Sequence, residues 1–369
     1  MTPLIAFIRA WLPAPTVRRL AALALMLLGV LGGLGTAQAA PCLIVTLTGT
    51  QSGPAAVNGL AGAGTLIRYG DESNGCSALK LQFDAGRGTT QRLSQLGITP
   101  VQLDAVFLTH MHSDHTEGLV DLMLLRWMYW SKADDIDLVC GVDAPPERGH
   151  SLSCTQLARH MGDTFIASGE IAERYADDTS RRKGGPADLI RLKTFAPART
   201  GETVWSRGDV RVSAVRSTHT ADHVSYRIDT PAGSVVVGGD AGNDTLRPPR
   251  ASSTSAQVEK LAEGAQVIVH STMHPVMAPG GGSGMPDAVY YRQSLAADLG
   301  AMAKRTGAQV LMLTHLAPSL GSTRHGPFSV PGGPLTVADY QRAVAPSGFA
   351  GEVIVGEDLV SVKLPRPGR

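Results

Sequence analysis

From residue 43 onward the chain alternates between short apolar runs and polar, glycine-rich breaks. The stretch 43–50 (LIVTLTGT) has the β-branched pattern of a strand, and 65–69 and 79–83 repeat it beyond a Gly/Pro/Asn-rich loop at 51–64. Residues 89–97 space Leu93 and Leu96 for a helix that stops at Gly97. The run AVFL at 105–108 predicts a buried strand that delivers the chain to Thr109-His110, and 117–130 is apolar nearly all round, which predicts a buried helix. Further on, 136–139, 210–215, 225–228, 234–237, 267–269 and 310–313 read as strands, with 353–355 as the last one. Between them lie helices near 154–161 and 288–306 and a short apolar element at 258–263. Hairpin-like strands first and strand–helix alternation later predict an α/β (α+β) chain, with two sheets sandwiched between helices in one domain.

The first forty residues follow another pattern. Arg9, Arg18 and Arg19 stand without any acid, an apolar and glycine run fills 20–34, and small residues follow at 36–40. This predicts a secretory signal peptide over 1–39 and a mature domain over 40–369, in the periplasm or secreted. Fifteen apolar residues fall short of the ~20 that cross a bilayer, so no stable membrane association is expected after cleavage. Composition then matters in one respect. Removing the signal's three arginines turns a net charge of +1 over 369 residues into −2, so there is no basic surplus for nucleic acid.

Export also changes the reading of Cys42, Cys76, Cys140 and Cys154. Four cysteines in an oxidising compartment favour disulfides, and their spacing leaves three connectivities open; the near-neighbour choice is Cys42–Cys76 with Cys140–Cys154.

The candidate chemistry is in the histidines. His110-Met111-His112-Ser113-Asp114-His115 leaves a strand in extended geometry, where residues two apart point the same way, so His110 and His112 can grip one metal. Asp114 and His115 then turn toward the following helix and a second metal. Three other predicted strands run into a ligand type: Ser217-Thr218-His219, Gly238-Gly239-Asp240 and Leu313-Thr314-His315. Imidazole and carboxylate donors suit two Zn²⁺, with Mn²⁺ or Fe as alternatives. His150, His160 and His325 are read as scattered surface residues.

These stretches resemble the metallo-β-lactamase-fold hydrolases and, within them, the ribonuclease Z branch. The likeness is carried by FDAGRGTTQRL at 83–93, DAVFLTHMHSDHTEGL at 104–119, STHTADHVSYRI at 217–228, VVVGGDAG at 235–242, VIVHSTMHP at 267–275, VLMLTHLAP at 310–318 and GEVIVGEDL at 351–359. The resemblance implies an αββα sandwich of two mixed β-sheets flanked by helices. It implies His110, His112 and His219 on one metal, Asp114, His115 and His315 on the other, and Asp240 bridging them. Tyr226, seven residues beyond His219, selects that histidine over His223. A metal-bridging hydroxide would then attack the substrate, with the catalytic Asp114 orienting it and accepting its proton, while Asp84 pins the metal loop.

Two stretches depart from the branch. Where it carries His-Glu-Ala-Thr this chain reads His270-Ser271-Thr272, and where it carries His-Ser-Thr this chain reads Arg292-Gln293-Ser294. The segment 160–195 is also short for a tRNA-grasping arm. The expected activity is therefore hydrolysis of phosphodiester or related small-molecule esters. The alternatives are a β-lactamase or lactonase acting on a cyclic amide or ester, and a ribonuclease Z-type endonuclease, against which charge and export argue. His270 is the expected substrate contact, with His223 and His274 as further candidates. Trp127 and Trp130 would edge a pocket or pack in the helix core, and 275–286 would be a lid or a surface loop. A homodimer is compatible with the sequence.

Overall fold

Two seven-stranded mixed sheets face one another in the computed structural model, which describes residues 39–53, 55–129, 134–146 and 151–366. Trp130, His150 and nearly all of the predicted signal segment lie outside the described residues. In the first sheet β1 (Pro41–Gly49), β2 (Gly64–Asp71) and β3 (Leu79–Phe83) pair antiparallel, and β4 (Ala105–Phe107), β5 (Ile136–Gly141) and β6 (Ile190–Phe195) continue in parallel. In the second, β7 (Glu202–Arg207), β8 (Val210–Arg216), β9 (Val224–Thr230) and β10 (Gly233–Val237) form an antiparallel meander. Parallel strands β11 (Val267–Met273) and β12 (Val310–Ala317) follow on from β10. A small hairpin, β13 (Arg324–His325) and β14 (Phe328–Ser329), precedes β15 (Glu352–Val355), which pairs with β12, and β16 (Ser361–Leu364), which closes the first sheet against β1.

Three buried apolar clusters separate four layers. Leu43, Val45, Phe83, Phe107, Val212, Tyr226 and Val235 fill the space between the sheets. Leu93, Leu119, Leu122 and Trp127 pack helices on the outside of the first sheet, and Val258, Leu299, Met302 and Tyr340 do the same on the second. The expected αββα sandwich is the observed fold. It arises because parallel strands such as β11 and β12 are buried on both faces and so read as continuous apolar runs.

Four details differ from the sequence reading, the first being that the helix read near 288–306 is two helices, Asp287–Tyr290 and Ala296–Thr306. The helix read as 117–130 spans Ser113–Tyr129, so Asp114 and His115 occupy its first turn. Strands β6 (IRLKTF) and β7 (ETVWSR) escape detection because exposed charged residues interrupt their apolar positions. The strand at 353–355 is not the last, since β16 follows it.

The disulfides are Cys42–Cys76, tying β1 to the turn after β2, and Cys140–Cys154, tying β5 to the helix Cys154–Arg159. Of the three connectivities the structure takes the near-neighbour one. Among the described residues no helix is long and apolar enough to cross a membrane.

Candidate metal centre

The candidate ligands gather where strands of both sheets end. β4 delivers His110 and His112, β8 delivers His219 and β10 delivers Asp240. His315 is placed by an irregularity inside β12. Ser271 pairs with Thr314 and Thr272 with Leu316, so His315 is the extra residue of a bulge, with φ at 44°. Such a bulge re-aims one side chain without ending the strand. The first turn of the helix Ser113–Tyr129 is brought in by close backbone approach: a Cβ on Gly118 would lie 2.0 Å from the Gly86 carbonyl oxygen, and one on Gly86 would lie 2.2 Å from the Asp114 carbonyl oxygen. Only glycine permits that approach at either position.

The side chains form three overlapping groups, His110/His112/His219, His110/His115/Asp240 and Asp114/His115/His315, with the ligand atoms of each within 4.8 Å of one another. His110 Nε2 lies 2.9 Å from His112 Nδ1, and His315 Nε2 lies 3.0 Å from Asp114 Oδ2. Asp240 Oδ2 is central, at 3.6 Å from His115 Nε2, 3.7 Å from His219 Nε2 and 3.4 Å from His315 Nε2. Sequence reasoning named all seven of these residues, and the structure brings all seven together.

The chemistry of this set fits divalent cations. His115 Nε2, both ring nitrogens of His219 and Asp240 Oδ1 are buried without a hydrogen-bond partner. An unsatisfied buried polar atom costs about 1–3 kcal/mol, and several facing one another are what a cation would satisfy. Burial pushes His110 well below the ordinary imidazole range and His219 down to about 3, so both stand neutral with lone pairs available. Burial also works against the charged forms of Asp240 and Asp114, yet the neighbouring histidines hold both well below the usual carboxylate range. His115 is the exception: burial pushes it down, but Asp240 and Asp84 hold it well above 6.5.

Surrounding residues fix these ligands in place. Asp84 accepts from the Thr109 backbone N–H and from Thr109 Oγ1, each at 2.8 Å, and faces His115 Nδ1 at 2.8 Å. Since the Thr109 hydroxyl proton is committed to Asp84, His110 Nδ1 donates to Thr109 Oγ1 at 3.1 Å, which leaves His110 Nε2 free of a proton. Asp222 Oδ2 accepts from the Met111 N–H at 2.8 Å and holds the loop between the first two histidines. His223 accepts from the Asp240 N–H at 3.0 Å through Nε2 and bonds Ser217 Oγ through Nδ1. Both its nitrogens are thus engaged, one by the Asp240 backbone and one by Ser217, which separates its role from that of His219. Tyr226 is fully buried and donates to the Leu108 carbonyl at 2.8 Å, tying the second sheet to the strand before His110.

The residues expected to meet substrate are distributed differently. His270 is fully buried with its ring edge against Gly238, and it lines no part of the cavity over the ligands. His274 accepts from the Val276 N–H and packs on Tyr340. Trp127 belongs to the helix core and donates to the Arg182 carbonyl. In the 275–286 stretch Met277, Ser283 and Met285 are buried. Conversely, His325 is not the surface residue its sequence context suggests: the β13–β14 hairpin places it on the cavity wall, with burial pushing it down to about 4. Arg292 also lines this cavity. Both are brought there by long-range contacts that no local spacing signals.

A family model described as Anti-Pycsar protein Apyc1 matches residues 75–144, which include the His110–His115 cluster. Ribonuclease Z of Mycobacterium avium (strain 104) is 28% identical over 327 residues, covering 88% of this chain and 99% of that protein. Among solved structures, the metallo-β-lactamase fold protein YhfI from Bacillus subtilis matches with a TM-score of 0.54 at 18% identity, over 88% of this chain and 100% of that one. Human tRNase Z, short form, matches with a TM-score of 0.55 at 16% identity, again over 88% of this chain and 100% of that one. The structural likeness concerns the fold, and the sequence relationship runs along nearly all of both chains.

Proposed function

We propose that this chain, similar along most of its length to a mycobacterial ribonuclease Z and in fold to metallo-β-lactamase-fold structures, is an exported dinuclear-zinc hydrolase acting on phosphodiester or related ester substrates. The observation that carries this reading is the buried set of unpartnered nitrogen and oxygen atoms gathered around Asp240. His110, His112 and His219 would hold one ion and Asp114, His115 and His315 the other, with Asp240 shared between them. When bound, such ions acidify water and polarise the scissile ester.

The chain's own residues do the rest. Asp114 lines the cavity wall while remaining only 6% exposed, and it would orient an attacking water and take its proton. His112 and His219 line the same cavity, so substrate would approach from that side. Asp84 and His223 keep His115 and Asp240 aimed inward. Nitrogen and oxygen donors in this mixture support zinc over magnesium or calcium. The two disulfides support export, since such bonds persist in oxidising compartments.

The test is metal content paired with turnover. The protein lacking residues 1–39 should bind two equivalents of Zn²⁺ and hydrolyse bis-p-nitrophenyl phosphate, losing activity to a chelator and regaining it with zinc. Nitrocefin or acyl-homoserine-lactone turnover without phosphodiester turnover would favour the lactamase or lactonase alternative. The identity to ribonuclease Z favours a second reading, an endonuclease on precursor tRNA, and site-specific cleavage of that RNA would establish it.

A further inference from the structure

The cavity over the ligands has a volume of about 340 Å³, at the small end of the ~300–1,000 Å³ typical of small-molecule sites. One wall is apolar, with Val289 and Phe328, and its single arginine or lysine is Arg292. Among the described residues no carboxylate pairs with Arg292, and its Nε is buried without a hydrogen-bond partner. By contrast, Arg191, Arg227 and Arg305 each meet a carboxylate. A guanidinium in that state beside a cavity is set to receive an anion from outside the chain.

Its backbone is pinned to the loop that carries Asp240. The Gly242 Cα approaches so closely that a Cβ there would lie 2.4 Å from the Arg292 carbonyl oxygen. Ser294 Oγ donates to the Ala241 carbonyl at 2.7 Å, and Arg250 donates to the Tyr291 carbonyl at 2.7 Å. The backbone that bears Arg292 is thus held at a fixed place relative to the loop of Asp240, which lowers the ordering cost of binding.

From this placement, and resting on the hydrolase reading above, we propose that Arg292 is the anion anchor of the site. It selects a small phosphoester whose charged phosphoryl group lies between the guanidinium and the ligand cluster, while its ester group packs on Val289 and Phe328. A guanidinium offers only donors in a fixed fork, so Arg292 reads and holds an anion by charge and geometry.

The experiment compares wild type, Arg292→Ala and Arg292→Lys, each loaded with zinc and checked for equal metal content. Phenylphosphonate binding, followed by calorimetry, should weaken roughly 10- to 100-fold in Arg292→Ala and recover in part in Arg292→Lys. KM for bis-p-nitrophenyl phosphate should rise by a similar factor, while turnover of the neutral ester p-nitrophenyl acetate should change less than threefold. Unchanged phenylphosphonate affinity in Arg292→Ala overturns the proposal, as does an equal loss on charged and neutral esters. If the wild type hydrolyses neither ester, it is the hydrolase reading that fails, and the phenylphosphonate titration still decides whether Arg292 anchors an anion.

Discussion

Asp84 Oδ2 lies 2.8 Å from His115 Nδ1, and this contact determines which edge of the imidazole is left for a metal. Asp84 itself sits at φ 55°, a left-handed conformation that asparagine also tolerates. Asp84→Asn therefore keeps the backbone and the bond from the Thr109 N–H, but an amide nitrogen in place of Oδ2 can accept from neither Thr109 Oγ1 nor His115. Zinc affinity, measured by competition with a chromogenic chelator, should fall about 10- to 100-fold with the far-ultraviolet circular dichroism unchanged. Wild-type affinity in this variant would mean that His115 is oriented by packing alone.

Gly118 offers a test of how backbone contact places the cluster. Its missing Cβ leaves room for the Gly86 carbonyl, and a methyl group there would sit 2.0 Å from that oxygen. Gly118→Ala gains helix propensity yet must displace the helix that bears Asp114 and His115. The expected outcome is a folded protein that has lost one of the two zinc equivalents proposed for the site, read by elemental analysis after gel filtration. Full zinc content would show that the turn at 84–88 yields without moving the ligands.

Several candidate ligands were legible because they stand at or just beyond a strand that announces itself by a short apolar run: AVF before His110, VVV before Asp240 and VLML before His315. The parallel strands of the core read clearly for the same reason. Strands β6 and β7 did not, because their exposed positions carry Arg, Lys and Glu. Arg292 and His325 reach the cavity through contacts between segments far apart in the chain, and nothing in their neighbours' spacing distinguishes them from surface residues. The position of His270 was misleading in the opposite sense. It stands where the resembled branch begins its His-Glu-Ala-Thr motif, yet Gly238 lets the chain pack directly over its ring.

The disulfides make different demands on the fold. Cys42–Cys76 spans 34 residues and Cys140–Cys154 spans 14. On the chain-entropy argument the longer loop contributes about 4 kcal/mol and the shorter about 3 kcal/mol. Replacing Cys42 and Cys76 together by serine should lower the unfolding free energy from denaturant titration by more than the same change at Cys140 and Cys154. A reversed order would place the larger effect in the packing of β5 against its helix.

Acid should weaken the metal-free protein, and the sign follows from the buried imidazoles. Burial holds His110 and His223 well below 6.5 and His219 at about 3, whereas in the unfolded chain all three return to about 6.5. Between those values the unfolded state binds more protons, so the stability present above pH 6.5 is lost as the pH falls. Asp114 and Asp240, held below the usual carboxylate range despite burial, extend the loss to lower pH through the same linkage. His115 acts the other way. Its folded value is raised above 6.5, so its contribution is complete below that pH and fades as the pH rises through the raised value. Three imidazoles outweigh one, and the chelator-treated protein should melt at a lower temperature at pH 4.5 than at pH 7. His219→Asn should flatten that dependence, because it removes a group that takes up a proton only on unfolding. An equal or higher melting temperature at pH 4.5 would show that the metal-free histidines are solvated and the cluster is not preformed.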